Sequence, residues 1–551
     1  MRRRLGIRLL KVSVGGALAC VAWSAGAQEA FRIERFEITG VTLLKASDAQ
    51  ALVAPSVGPN RGVTDISKAI AALQTAYRQR GFGAVTVTAP EQELTGGIVR
   101  LDVHESRLAK VTVKGNLHFD ETNIRASLPG LQQGRSPNLR QMSDSIQLAN
   151  DNPAKQVAVS LAANEADGGV DATVEVTDYN PLRVIASLDN TGTSSSGKWR
   201  TGVALQHANL FGRDQVGTLA YTTSPDSPSG VHVNLYSAGY RIPVYGLGDS
   251  LDLLYGKSSV NVPGSSPTLG GVLGFTGKGQ VFGLHWNHFL PRDGETSSKI
   301  IAGIDRRETD SSCDVDGVAV DTDAPTPPIA ACVPYTTQPL SVTYSSQRQG
   351  TSMASDYFIG VSRNFATGPR RTNIDGRVDR YSYLTPGNRD TSDSFVVLRA
   401  GGSYLQGLGG GWQARIVGNA QYTNDALLLS ERLGLTGAQA VRGFEERSVT
   451  ADSGAFVNAE LTTPNLAEKL YLPGDLHALA FVDAGRGFNK HTAATAVPGK
   501  VSVASFGAGL RAGFGRDVTV RLDVARVAKA GDSTTESQGD WNAHLAASFA
   551  Y

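Results

Sequence analysis

The residues best suited to strong polar chemistry are an arginine and an aspartate far apart in the chain. They are Arg442, in Val441-Arg442-Gly443-Phe444, and Asp483, in Phe481-Val482-Asp483-Ala484-Gly485. A guanidinium and a carboxylate brought together away from water form a bidentate, charge-assisted pair. The stretch around Arg442 also holds Gly434 and Gly437, so its backbone can fold sharply. Around Asp483 the positions alternate: with Leu479, Phe481 and Asp483 on one face, Ala478, Ala480 and Val482 take the other. Glu460, opposite Val457, Ala459 and Leu461, is the alternative partner for Arg442, and a solvated loop arginine is the third reading.

Other chemistry-bearing residues lead less far. His285-Trp286-Asn287-His288 offers two imidazoles, but an offset of three points them to opposite faces of a strand, so a shared metal is not expected. Gly81-Phe82-Gly83 lacks the rest of a dinucleotide fingerprint and reads as a helix stop. No nucleophile–base set is present, so neither enzymatic activity nor a cofactor is expected.

The elements that must hold Arg442 and Asp483 belong to a chain of 551 residues with 62 glycines and a mean hydropathy of −0.16. Glycine at about 11 % exceeds the ~7 % norm, as turns and curved strands require. With 52 basic against 51 acidic residues, the basic excess of a nucleic-acid binder is missing. Beyond residue 27 no uncharged apolar run approaches the ~18–20 residues of a spanning helix. Residues 1–27 read as an export signal: Arg2, Arg3, Arg4, Arg8 and Lys11, then an apolar stretch from Val12 to Trp23, then Ala25-Gly26-Ala27. Its removal takes five positive and no acidic residues, and the net charge from +1 to −4. Two cysteines remain, Cys313 and Cys332, around a polar, proline-rich stretch. In an exported chain a disulfide closing that loop is favoured, two free thiols being the alternative.

Two small α+β modules follow, at 28–105 and 106–180, each with the expected order β-α-α-β-β. In the first, Phe31–Ile38 alternates as one strand, Ile66, Ile70, Leu73 and Tyr77 line a helix, and strands lie at Ala84–Thr88 and Ile98–Val103. In the second, Leu108–Lys114 is a strand and Ser136-Pro137 is read as N-cap and first helical residue. Leu139, Met142, Ile146 and Ala149 line the helix, and Gln156–Ala162 and Val170–Thr177 are strands.

From 181 to 551 a period of two takes over. Trp541, Ala543, Leu545, Ala547, Phe549 and Tyr551 share a face opposite Asn542, His544 and Ser548. Apolar faces with aromatics near the strand ends are what a transmembrane barrel needs. Sixteen antiparallel strands are expected, starting near residues 183, 199, 216, 231, 250, 280, 299, 355, 372, 395, 411, 454, 477, 503, 518 and 541. Leu340–Tyr344 is taken as an extension rather than a strand, and Ala366–Arg371 as a tight turn. A loop at 424–453 folds inward, and Arg200, Arg415 and Arg521 read as pore lining.

Paired modules, the barrel and the two motifs in order resemble the two-partner secretion transporters, the haemolysin secretion/activation family of the POTRA-plus-barrel outer-membrane superfamily. Val441-Arg442-Gly443-Phe444 is similar to that family's V-R-G-[YF], and Phe481, Asp483 and Gly485 to its F-x-D-x-G. The resemblance implies POTRA modules in the periplasm and a barrel in the bacterial outer membrane. It also implies a dedicated partner protein, bound unfolded by the modules and exported through the barrel. Outer-membrane lipids and the barrel-assembly machinery are the other implied partners. A barrel-assembly factor and a passive porin with periplasmic binding modules are the alternatives. Many family members also carry a plug helix; only Gln28, Glu29 and Ala30 stand between the cleavage site and the first strand, so none is expected.

Overall fold

The computed structural model describes residues 30–551 except 94, 165–167, 195, 227, 229–231, 260–263, 266–273, 276–277, 311–313, 316–317, 320–332, 373–375, 494 and 516. Cys313 and Cys332 lie outside the described residues. The chain divides into two compact units, up to Ser106 and from Arg107 onward.

The first unit runs β1 (Phe31–Ile33), β2 (Arg35–Thr39), α1 (Ala46–Val53), β3 (Gly58–Arg61), α2 (Val63–Gln79), β4 (Val85–Thr88) and β5 (Ile98–Glu105). Strand β5 is central, parallel to β2 and antiparallel to β4. Ile33, Phe36, Leu73, Tyr77, Val99 and Leu101 form the core. Two expectations need correction. The first strand is broken at Glu34, whose N–H turns away to the Gly97 carbonyl, and a short strand, β3, lies between the helices and pairs with β1.

Glu105 organises this unit. Its carboxylate accepts from the Thr42 and Leu43 N–H groups, at 2.8 and 2.9 Å, and from the Tyr77 hydroxyl at 2.7 Å. Burial pushes its pKa up, and these donors more than offset that, so it sits below the ordinary glutamate value. A lowered carboxylate pKa stabilises above the unfolded value and is lost as pH falls through the folded one. Glu105→Gln should therefore destabilise the first unit by about 1–3 kcal/mol near neutrality and flatten its acid limb, as read by urea unfolding at pH 7 and pH 4. Equal stability of variant and parent at pH 7 would contradict this.

The second unit opens with a module of the same sheet order: β6 (Leu108–Lys114), α3 (Glu121–Ala126), α4 (Leu139–Ala149), β7 (Lys155–Asn164) and β8 (Gly169–Asp178). Helix α4 is capped by Asn138, whose side chain accepts from the Arg140 and Gln141 N–H groups, and not by Ser136. Strand β8 is central, between β6 and β7, so Val170–Thr177 is not an outer edge.

Sixteen strands then close a barrel: β9 (Leu182–Asp189), β10 (Arg200–Leu210), β11 (Gln215–Thr223), β12 (Asn234–Val244), β13 (Asp249–Ser258), β14 (Gly279–Asp293), β15 (Thr296–Thr309), β16 (Tyr335–Thr337 continuing as Pro339–Gln349), β17 (Met353–Asn364), β18 (Val396–Gly409), β19 (Trp412–Tyr422), β20 (Ser453–Thr462), β21 (Asp475–Phe488), β22 (Lys500–Phe514), β23 (Val518–Lys529) and β24 (Trp541–Ala550). Each pairs antiparallel with its neighbours, and β24 returns to β9. The count of sixteen holds, but its membership changes. Leu340–Tyr344 belongs to a full strand, β16, interrupted where Pro339 offers no N–H and the Gln338 N–H goes to the Asn364 side chain. Arg371–Thr372 only pairs with Val378–Asp379, inside a long loop that contains the supposed turn Ala366–Arg371.

Burial alternates along the walls: Val482 is 62 % exposed and Asp483 is fully buried. Outward aromatics ring both ends. Tyr221, Tyr236, Tyr422 and Trp541 lie at the loop end, and Tyr404, Trp412, Phe514 and Phe549 at the module end.

Candidate functional site

Loop 423–452, between β19 and β20, folds into the barrel. Leu435, Val441, Phe444 and Val449 pack against Phe456, Val501, Val503 and Val527 of the wall. Its apolar residues thus seat it on one side of the lumen, and its polar ones meet the opposed charges there.

Arg442 is only 1 % exposed. Its Nε and Nη2 each donate to Asp483 at 2.8 Å, its backbone N–H adds a bond of 3.1 Å to the same carboxylate, and Nη1 donates to Glu460 at 2.7 Å. The structure thus places both candidate acids on the arginine at once. The guanidinium also stacks on Phe481, 3.5 Å from the ring centroid. Asp523, on β23, lies 3.5 Å from Nη1 and is itself held by Arg511 and Arg521 at 2.8 Å each. Three arginines thus face three carboxylates, which is how charge can be buried without a large net cost.

The remaining motif residues have separate physical reasons. Gly443 has φ +91°, and a Cβ there would sit 3.1 Å from that of Ala525. Gly485 lets the loop approach the wall: a Cβ would meet Val503 at 3.0 Å and Val441 at 3.3 Å. Val441 and Phe444 are apolar and fully buried.

Three other anchors escaped the sequence reading. Glu431, at the base of the loop, accepts from Arg307 at 2.9 Å and Arg399 at 3.2 Å. Arg389 and Asp452 form a pair with no exposure, tying loop 365–395 to this one. Gly443 donates its N–H to His544 Nε2 at 2.8 Å, and its carbonyl accepts from Asn542 at 2.8 Å. Alternation alone puts Asn542 and His544 on the polar face of β24 and Arg521 and Asp523 two apart on β23; only the register between strands joins them to the loop. His285 and His288 point apart, to Asp305 and Asp249, and share nothing. Arg200, expected to line the pore, is instead buried against the loop before β10, donating to Ser196 and the Gly197 carbonyl. Arg521 donates to Asp523 and the Ala438 carbonyl, and Arg415 lies 3.9 Å from Glu460.

At the other end, the second module is riveted to the first two turns of the barrel. Lys155, fully buried, pairs with Asp214, which also accepts from the Tyr245 hydroxyl. Asn123 donates to the Gly212 carbonyl at 2.8 Å, Asn152 to that of Ala208 at 2.7 Å, and Arg241 pairs with Asp151. Ala208 of β10 belongs to the module's own hydrophobic core. Burial pushes the Lys155 ammonium pKa down against the pull of Asp214.

Residues 168–512 match the family model described as haemolysin secretion/activation protein ShlB/FhaC/HecB. The chain belongs to this family. Residues 31–106 match the ShlB-type POTRA domain. Outer membrane transporter CdiB of Dickeya dadantii (strain 3937) is 24% identical over 472 residues, 83% of this chain and 76% of that protein. Hemolysin transporter protein ShlB of Serratia marcescens is 23% identical over 77% of this chain and 71% of that protein. The chain spans about half the length, 47%, of two Escherichia coli transporters that it also matches. The solved structure of CdiB from Escherichia coli shares the fold, with a TM-score of 0.70 at 19% identity over 96% of this chain and 92% of that one. As a member of this family the barrel lies in the outer membrane, with its module end in the periplasm and its long loops outside.

Proposed function

We propose that the protein exports a dedicated, unfolded partner polypeptide from the periplasm to the cell surface, and that the modules select it while the barrel conducts it. The observation that carries this reading is the loop folded into the lumen with Arg442 buried against the wall. A passive porin keeps its lumen open, whereas a conduit used by one partner gains from a seat that the passing chain must displace. The resting seat is non-covalent, apolar contacts plus the Arg442 ion cluster, and can re-form without chemistry. Transport of this kind uses no catalytic group; folding of the partner outside gives it direction.

The domain limits that fit this reading are modules at 28–105 and 106–180 after a cleaved signal, then the barrel. Recognition by strand addition needs a free edge. In the second module the outer edge of β6 is already occupied: Leu108 bonds to Gly134 and Arg135, and the Ala109 and Val111 carbonyls accept from Gln133 and Arg125. On β7 the Asn150 side chain holds Val157, and the backbone N–H and C=O groups of Val159, Leu161 and Ala163 point away from β8, with no strand partner among the described residues. A fragment spanning 28–178 should bind the unfolded N-terminal region of the partner at roughly micromolar Kd. Leu161→Pro and Ala163→Pro, which remove amides that β8 does not use, should weaken that binding and export together. A folded fragment with no binding at high micromolar concentration would overturn strand addition and leave selection to the lumen.

A further inference from the structure

The closing pair of the barrel is short. Strands β24 and β9 share five register pairs, from Ala546 opposite Asp189 to Ala550 opposite Ile185, while β24 and β23 share nine. Above Ala546, toward the outside, one more main-chain bond follows, from the Asn190 N–H to the Leu545 carbonyl at 3.2 Å, and the ladder then ends. Asn190 extends it with its own amide: its side chain accepts from the Leu545 N–H at 2.8 Å and donates to the Ala543 carbonyl at 2.8 Å.

Beyond that point the connection between the two strands runs through the tip of loop 423–452. On the β24 side, the backbone of Gly443 is gripped at both its N–H and its carbonyl, by His544 and Asn542. On the β9 side, Glu445 accepts from the Ser194 N–H at 3.1 Å, in the loop that leaves β9. The Glu445 N–H donates to Glu536 at 2.8 Å, in the loop that enters β24. Two loop residues, Gly443 and Glu445, therefore touch both flanks of the barrel's shortest seam. His544 accepts a main-chain N–H at Nε2, so that nitrogen carries no proton and the ring is neutral.

We infer that the loop tip is the clasp of the seam, with His544, Asn542 and Glu445 as its positioning residues. Seating of Arg442 and closure of the upper half of the β9–β24 junction are then one event. When the loop lifts, the upper part of the junction keeps only the Asn190 bonds to Leu545 and Ala543 above its five-pair ladder. This goes beyond export as such, because it can be read with no partner present.

The test is amide hydrogen exchange on the full-length protein in lipid bilayers. His544→Leu should speed exchange across 185–191 and 541–546 by about tenfold, ~1.4 kcal/mol, and leave the β13–β14 amides unchanged. His544→Gln, whose amide oxygen can still accept from Gly443, should restore most of the protection. Glu445→Ala, on a half-buried loop residue that cannot unfold the barrel, should release 190–194 in the same way. Unchanged exchange at the junction in both His544→Leu and Glu445→Ala would overturn the inference. So would an equal rise in every strand, or failure of His544→Gln to restore protection.

Discussion

Arg442→Ala is expected to abolish export of the partner while the barrel still inserts and runs as a folded, heat-modifiable species. Removing the guanidinium strips Asp483 of its side-chain partner and Glu460 of its nearest one, and breaking a buried pair from one side costs about 3–5 kcal/mol. That cost falls on the seat of the loop, because the wall ladders do not use the side chain. Arg442→Lys should fail nearly as badly, since an ammonium cannot serve two carboxylates through a planar fork. Asp483→Ala should also lose export, and the double variant should be little worse than the worse single one, as for residues in direct contact. Partner in the medium, measured against barrel in the membrane, reads all four. Full export by Arg442→Ala would remove the functional claim; additive losses would remove the pairing.

Lys155→Met should unseat the second module. Asp214 would be left in a site where it is 3 % exposed, with the Tyr245 hydroxyl as its remaining side-chain donor. The expected penalty is again about 3–5 kcal/mol, here charged to the docking of the module rather than to its own fold. The readout is limited proteolysis of the 179–181 connection, slow in the parent and fast in the variant. The double variant Lys155→Met/Asp214→Asn should regain most of the resistance. Asparagine removes the stranded charge and tolerates the φ of +58° at that turn position. Parental resistance in Lys155→Met would show that the bonds of Asn123, Asn152 and Asp151 and the apolar contact at Ala208 hold the module without the buried pair.

Much of the barrel is legible because one physical rule governs it: lipid on one side and lumen on the other forces a period of two. The rule blurs where the backbone departs from a ladder. Pro339 breaks the start of β16, and the polar stretch at Arg371, expected as a strand, pairs only within its own loop. Strand β3 is a Gly-Pro-Asn-Arg segment with positive φ at Gly58 and Asn60, which no propensity reveals. Ser136 and Asn138 are both good caps, and the choice between them is made by which side chain meets the free N–H groups of α4. At the site, Arg442, Asp483 and Glu460 could be named because each sits on a face defined by its own strand or motif. Asp523 and His544 could not be joined to them, because that depends on how far each strand has slid past the next. Glu431 and Asp452 depend on the path of a long loop, which carries no period at all.

The grip of Gly443 by β24 also bears on how the barrel comes to be closed. The partners at the junction lie far apart in the chain: Asn190 and Leu545 are separated by 355 positions, Gly443 and His544 by only 101. Closing the shorter loop is entropically easier by about 1 kcal/mol, and contacts of lower separation tend to form first. A loop tip already seated on β21 and β20 offers the arriving last strand a template before the first strand is within reach. The ring is then completed from the inside, and a chain that cannot seat its loop should reach the same closed barrel more slowly, spending longer as an open sheet.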